Sequence, residues 1–201
     1  MNIVIPFNSR YLEDRYDIKD DFLKLLLGDV LLNMVERYSA DDRVESIELV
    51  SDIDVSYVGE TNNKTTCTQV DIGNLQGVNE VAKRVFDVRV VQSEIVVQTN
   101  LLYPFVSVDS LSRAFSSVQT KRTSSAIGSF INRASETDMK AVAVNDLGIF
   151  SVYNVSRFLA LNQRTAPPVE LIALKASEMI SLRSQRDYGL FELILNSGYE
   201  L

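Results

Sequence analysis

The feature that most constrains the fold of this chain is a run of alternating apolar and polar residues in its first third. Between positions 46 and 57, most odd-numbered side chains are apolar, namely Ile47, Leu49, Ile53, Val55 and Tyr57. A period of two is typical of a β-strand with one buried and one solvated face. A turn-like segment at 59–63 and a second β-rich run at 65–72 follow. Residues 44–72 therefore predict a long β-hairpin whose apolar face is covered by helices.

Strand and helix patterns also alternate outside this hairpin. Residues 3–5 predict a short first strand or an extended arm, because Pro6 has no N–H to donate to a central ladder. A helix is predicted from Asp17 or Asp20 to about Tyr38, with most of its surface apolar and buried.

Further helices are predicted at 76–86, 111–118, 127–131 and 168–182, and β-structure is predicted at 88–102, 139–144 and 149–155. Together these elements predict a single α+β domain over residues 1–201, with a mixed, mostly antiparallel sheet covered by helices.

The composition changes between residues 104 and 135. Residues 107–135 contain nine serines and four basic residues against the single acid Asp109. We interpret this serine-rich, basic segment as a protruding arm or a helical insertion that faces a partner. Its basic side chains are the predicted partner contacts: Arg113, Lys121, Arg122 and Arg133.

The residue types that are missing limit the chemistry of this protein. The 201 residues contain no histidine and a single cysteine, Cys67. The commonest general base, the serine triads and an internal disulfide are therefore excluded. With eight glycines and no phosphate-binding glycine-rich loop, the sequence predicts no cofactor and no catalytic residues.

The distribution of charge favours contacts between unlike protein surfaces. Residues 1–62 carry a net charge of −8, the remainder carries +1, and the total is −7. With no catalytic motif, this asymmetry favours a non-enzymatic structural or assembly subunit that contacts copies of itself and neighbouring proteins. A virus or bacteriophage particle is one natural setting for such a subunit.

The sequence predicts a protein of the cytoplasm or of an assembled particle. No apolar run is long enough to cross a membrane, and the N-terminus lacks the pattern of a secretory signal peptide.

An alternative interpretation makes the acidic strand a metal site. Two carboxylates two residues apart on a strand, Asp52 and Asp54, share a face, and Asp71 on the paired strand supplies a third. This arrangement resembles the acidic strand motif of polymerase-β-like nucleotidyltransferases. The resemblance implies binding of two magnesium ions for in-line phosphoryl transfer. That family also has a Gly-Ser pair shortly upstream, where this chain has residues 39–42 without glycine.

A second alternative is a nucleic-acid-associated factor that uses the basic region 113–133. Basic side chains bind phosphate groups, and such binding weakens steeply with salt. No aromatic residues are interleaved with this basic region to stack on bases, so the sequence does not favour nucleic acid as a partner.

Overall fold

Seven strands form one sheet in the computed structural model, which describes residues 1–60, 62–70, 94–129, 149–161 and 163–197. The sheet order is β3-β2-β1-β4-β6-β5-β7. The strands are β1 (Asn2–Phe7), β2 (Ser46–Ser51), β3 (Thr65–Gln69), β4 (Ile95–Thr99), β5 (Ser125–Ser129), β6 (Phe150–Asn154) and β7 (Val169–Ala173).

Helices connect these strands within the described ranges. They are α1 (Ser9–Tyr16), α2 (Asp20–Leu25), α3 (Leu31–Ser39), α4 (Ser56–Gly59), α5 (Val108–Gln119), α6 (Val155–Leu161) and α7 (Gln185–Asn196). The π-helical turn Leu26–Val30 joins α2 to α3, so the predicted helix ending near Tyr38 is confirmed. Its N-cap is Lys19 instead of an aspartate. No helix in the described part of the chain is both long and apolar enough to cross a membrane.

The core lies on both faces of the sheet. On β1, the side chains of Ile3 and Ile5 belong to the larger apolar cluster, whereas Val4 packs in a second cluster with Tyr153 and Phe158. A sheet buried on both faces explains why β2 is almost continuously buried and includes Glu48, which is 7% exposed. The expected wet face of this strand is therefore absent.

The mixed sheet flanked by helices confirms the predicted architecture, but its strands are mostly parallel. The pairs β1/β2, β1/β4, β2/β3 and β5/β7 are parallel, and only β6 runs antiparallel to its neighbours. The predicted hairpin at 44–72 is wrong, because β2 ends at Ser51 and α4 carries the chain to a parallel β3. The alternation of apolar and polar residues does not distinguish a hairpin turn from a helical connection between parallel strands.

The first strand is central, although it contains Pro6. Its ladder with β2 runs to Phe7, but its ladder with β4 covers only Asn2–Val4. Since proline has no N–H, Pro6 is tolerated where the pairing with β4 has already ended. The prediction of a short strand or extended arm did not consider that Pro6 could lie beyond the end of the ladder with β4.

The described part of the segment 104–135 packs on its own sheet and does not form a protruding arm. Helix α5 buries Leu111 and Ala114, and β5 lies between β6 and β7. The prediction of a short helix at 127–131 is therefore wrong for residues 127–129, which belong to β5. A later helix, expected at 168–182, is replaced at its start by β7, because the β-branched residues of 169–173 pair with β5. The expected elements at 76–86 and 139–144 lie outside the described residues.

Candidate functional site

The order of the strands identifies one edge of the sheet as the place for a ligand. From β1 the chain moves to β2 on one side, whereas β4 lies on the other side of β1. In open α/β sheets, ligands bind outside the carboxyl ends of the strands at the point where the strand order reverses. That point here is the gap between the ends of β1 and β4.

A cleft with about 600 Å³ of empty space, part of it open to solvent, lies at this point. We call it the switch-point cleft. It opens where the β1/β4 ladder stops, two residues before Pro6. Its lining comes from three separate segments: Pro6, Phe7, Asn8, Tyr11, Leu12 and Tyr16; Gln98, Thr99, Asn100, Leu101 and Leu102; Ile149 and Phe150.

Three carboxamide side chains in this lining are fixed by hydrogen bonds from the protein itself. Asn8 is the N-cap of α1, and its Oδ1 accepts from the backbone N–H of Tyr11 at 2.8 Å. The Oδ1 of Asn100 accepts from the backbone N–H of Leu102 at 3.0 Å. The buried Tyr153 hydroxyl donates to Gln98 Oε1 at 2.7 Å. Burial raises the pKa of Tyr153, so this hydroxyl remains a donor.

One positive charge adjoins the cleft through Tyr16 of α1. The guanidinium carbon of Arg183 lies 5.4 Å from the ring centre of Tyr16, and Arg183 also donates to the hydroxyl of Tyr103 at 3.0 Å. Burial lowers the pKa of Arg164, while the phenol groups of Tyr153 and Tyr11 favour its charged form. Tyr16 lines the cleft, so the Arg183 guanidinium that stacks on its ring lies at the edge of the cleft.

Asp52 holds the start of α1 and is not part of a metal cluster in the described residues. It accepts from the Ser9 backbone N–H at 2.8 Å and from the Ser9 hydroxyl at 2.6 Å. A carboxylate at a helix N-terminus is stabilised by the unpaired N–H groups and by the helix dipole. Asp52 thereby ties the end of β2 to the β1–α1 connection.

Asp54 lies beyond the end of β2, so it does not share a strand face with Asp52. Its Oδ1 accepts from the backbone N–H of Ser56 at 2.9 Å, and hydrogen bonds from Ser56 lower its pKa. Asp71 lies outside the described residues. Within the described residues, no group of three or more acidic or cysteine side chains could hold a metal ion.

The predicted partner contacts that the structure describes, Arg113, Lys121 and Arg122, do not line the switch-point cleft. Arg113 is exposed and donates to the Ser110 hydroxyl and to the carbonyl of Ala173. Lys121 and Arg122 are exposed in the turn after α5, and Arg133 lies outside the described residues. A role for these residues in subunit contact stays a prediction.

Sequence reasoning missed the carboxamides of the cleft, although two local signals point to them. The run Phe7-Asn8-Ser9 places an N-capping residue directly after an apolar strand, which is typical of a strand-to-helix turn. Gln98-Thr99-Asn100 similarly puts polar residues at the end of an apolar run. Their meeting in one cleft depends on the strand order, which neither signal contains.

Comparison with solved structures finds this fold in cytidylyltransferases. The 4-diphosphocytidyl-2C-methyl-D-erythritol synthase of Anaerococcus prevotii matches with a TM-score of 0.66 and 13% identity, with 97% of each chain covered. A cytidylyltransferase of Leptospira borgpetersenii matches with a TM-score of 0.68 and 11% identity, over 99% of this chain and 87% of the other. A CMP:2-keto-3-deoxy-manno-octonic acid synthetase complexed with CTP matches with a TM-score of 0.66 and 10% identity, over 98% of both chains.

No family model matches the sequence, and a search of curated proteins finds no relative. At these identities, the structural matches establish a shared fold.

The expectation of a non-enzymatic assembly subunit, in a virus or bacteriophage particle, is wrong. The finding that overturns it is a likeness to cytidylyltransferases that extends over nearly the whole chain. That expectation treated the missing histidine and glycine-rich loop as evidence against any enzyme. The alternative interpretation, a nucleotidyltransferase, agrees better with this fold.

Proposed function

We propose that this chain is a nucleotidyltransferase that binds a nucleoside triphosphate, CTP first among them, in the switch-point cleft. An acceptor oxygen attacks the α-phosphorus, and a new P–O bond forms. The bond to the oxygen bridging to the β-phosphate breaks, and pyrophosphate leaves with that electron pair. The observation that carries the proposal is the cleft between the ends of β1 and β4, in a fold shared with cytidylyltransferases.

The side chains at the cleft support a nucleotide as the ligand. Phosphoryl transfer requires positioning and electrostatic stabilisation more than covalent help from the protein, so histidine is not required. The lining offers aromatic surface for a base at Phe7, Tyr11 and Tyr16. The guanidinium group of Arg183, which stacks on Tyr16 of the lining, favours the negative charge of a phosphate chain.

The set of donors at the cleft does not fit a metal ion. None of the described residues that line the cleft is a carboxylate, and carboxylates are the protein ligands that Mg²⁺ prefers. The proposal therefore assigns binding and orientation of the nucleotide to amide, hydroxyl and arginine side chains.

The first test is thermal unfolding of the purified chain with CTP, UTP, ATP or GTP at equal concentrations in Mg²⁺-containing buffer. We expect CTP to raise the melting temperature most, because the fold is shared with cytidylyltransferases. A ligand at 100 times its Kd adds about 2.7 kcal/mol to the free energy of unfolding, which is large enough to detect. Pyrophosphate release is then measured with sugar acids and polyol phosphates as acceptors. If none of the four nucleotides raises the melting temperature, the proposal fails.

A pair of variants localises the effect. Tyr11→Leu removes an aromatic surface from the cleft and is expected to reduce the stabilisation by CTP at least threefold. Arg122→Ala removes an exposed cation that does not line the cleft and should leave this stabilisation unchanged. Equal losses in both variants would contradict binding in the switch-point cleft.

A further inference from the structure

Strand β7 forms one edge of the described sheet, where β5 is its single neighbour. The carbonyl of Pro168 accepts from the backbone N–H of Ser124, so residue 168 faces β5. The backbone groups of successive residues in a strand point to opposite sides. Val169, Leu171 and Ala173 therefore turn their N–H and C=O groups toward the open edge.

Two of these residues carry free backbone groups. In the part of the chain that the structure describes, the outward groups of Val169 and Leu171 make no hydrogen bond. Ala173 differs, because its carbonyl accepts from the Arg113 guanidinium at 3.2 Å. Unpaired N–H and C=O groups along an edge are a template for a further strand. We call the open side of Val169–Ala173 the β7 edge.

The side chains of the β7 edge also favour an added strand. Ile172 is buried in the main apolar cluster, and Glu170 accepts from the hydroxyl of Ser117 in α5. Val169 and Leu171 are apolar but only half-buried. A strand that paired with β7 would remove more of their surface from water, which is favourable. Main-chain pairing of this kind provides affinity, and the alternate side chains provide specificity.

Basic side chains lie at both ends of the β7 edge. At its end, Arg113 contacts Ala173, and the exposed Lys175 follows two residues later. At its start, Arg157 of α6 donates to the carbonyl of Pro167 at 2.9 Å. The edge is therefore flanked by positive charge on both sides.

The turn before β5 adds to the positive charge at the start of the edge. Its residues Lys121 and Arg122 are exposed, and the hydroxyl of the next residue, Thr123, donates to the carbonyl of Pro168. The segments 113–125, 155–161 and 163–176 contain a single acid, Glu170. The surface around the β7 edge is thus basic, although the whole chain carries a net charge of −7.

This charge pattern favours an acidic occupant over a second copy of the chain. Antiparallel pairing of two β7 strands would bring the basic end of one strand against the basic start of the other. Like charges placed together across an interface are unfavourable, whereas opposite charges attract and fix the register. An acidic segment would be attracted to the β7 edge and repelled by the acidic remainder of the surface.

We propose that the β7 edge binds an extended acidic segment of a partner protein as an additional strand. The free backbone groups of Val169 and Leu171 pair with the segment, and an apolar side chain of the segment packs beside Leu171. Carboxylates at the two ends of the segment lie near Arg157 and Lys175. The proposal does not depend on nucleotide binding, because residues of β7 do not line the switch-point cleft.

The first test compares three end-blocked peptides by fluorescence anisotropy at low salt. Each peptide alternates valine and threonine over the length of β7. The first has glutamates at both ends, the second has lysines there, and the third has glutamates together with N-methylated central amides. We expect the first to bind at least about tenfold more tightly than the others, because the second loses charge attraction and the third loses backbone hydrogen bonds.

Variants of the chain locate the binding. Leu171→Pro removes a free N–H of the edge, and proline is tolerated on an edge strand where the N–H faces solvent. We expect this variant to keep its fold and to bind the glutamate peptide at least about tenfold more weakly.

A second variant tests the flanking charge. Lys121→Gln combined with Lys175→Gln removes one cation from each end, and the expected loss of affinity is about threefold to tenfold, since each exposed ion pair contributes little. Lys24→Gln is the matched control. It removes an exposed cation that pairs with Asp21 in α2, and it should bind the peptide as the wild type does.

The proposal is overturned if the lysine or the N-methylated peptide binds as tightly as the glutamate peptide, or if folded Leu171→Pro binds as the wild type does. If that variant does not fold, the N-methylated peptide decides. A single-stranded oligonucleotide that binds more tightly than the peptide would assign the basic ends to nucleic acid instead. A dimer in solution that Leu171→Pro abolishes would assign the β7 edge to a second copy.

Discussion

Replacement of Asp52 by alanine tests whether this carboxylate supports the fold or binds a metal ion. The change removes two hydrogen bonds to a charged acceptor, from the N–H of Ser9 at 2.8 Å and from its hydroxyl at 2.6 Å. Each such bond contributes about 1.5–3 kcal/mol. Because Asp52 is half-buried, we take the lower end of this range for both bonds and expect a loss of about 3 kcal/mol.

The assay is urea unfolding at low salt in the presence of EDTA. If Asp52 served only as a metal ligand, EDTA would remove the ion and leave Asp52 beside other negatively charged ligands. Removing Asp52 would then relieve like-charge repulsion, so the free energy of unfolding would stay unchanged or rise. Asp54→Ala is the control, because Asp54 is exposed and accepts from the backbone N–H of Ser56 in the short helix α4, so the loss of stability should be smaller. A change below about 0.5 kcal/mol for Asp52→Ala would refute the capping role, given the energies expected for such bonds.

Two further predictions concern packing and pH. A Cβ at Gly128 would lie 2.3 Å from the ring of the buried Phe150, so Gly128→Ala should cost at least about 1–3 kcal/mol in urea unfolding. Gly189→Ala in α7 meets no atom within 4 Å and should stabilise by up to about 1 kcal/mol; equal effects would contradict this packing. Burial and the hydrogen bond to Asp29 raise the pKa of Tyr188 to about 12. The unfolded chain ionises this group near pH 10, so stability should fall between about pH 10 and 12, and Tyr188→Phe should reduce that fall.

The sequence was sufficient to predict elements whose pattern is local. The apolar surface of the helix ending near Tyr38, the stripe that includes Leu111 and Ala114 in α5, and the strand at Phe150–Asn154 each appear in the structure. A mixed sheet covered by helices also followed from these patterns.

The parallel pairing could not be predicted, because it depends on contacts between distant segments. Residues 46–51 pair with both 2–7 and 65–69, and a run of apolar and polar residues does not state which neighbours it has. The same applies to the cleft, whose lining joins the regions around Asn8, Asn100 and Phe150. Each of these residues is individually typical of a cap, a turn or a core.

The functional prediction failed for a chemical reason. The missing histidine excludes acid–base and covalent mechanisms that require it, and this exclusion still applies. Transfer of a nucleotidyl group is different, because fixed donors and cations that hold the phosphate chain can supply most of the catalysis. A search for nucleophiles and bases does not detect chemistry of this kind.

Hydrogen exchange of the wild-type chain with and without CTP tests the central claim most directly. Binding in the switch-point cleft predicts slower exchange of the backbone amides in 7–12 and 98–102, which form its lining. Exchange around the exposed residues Lys121 and Arg122 should not change. Protection confined to regions away from the ends of β1 and β4, or no protection at saturating CTP, would contradict the account.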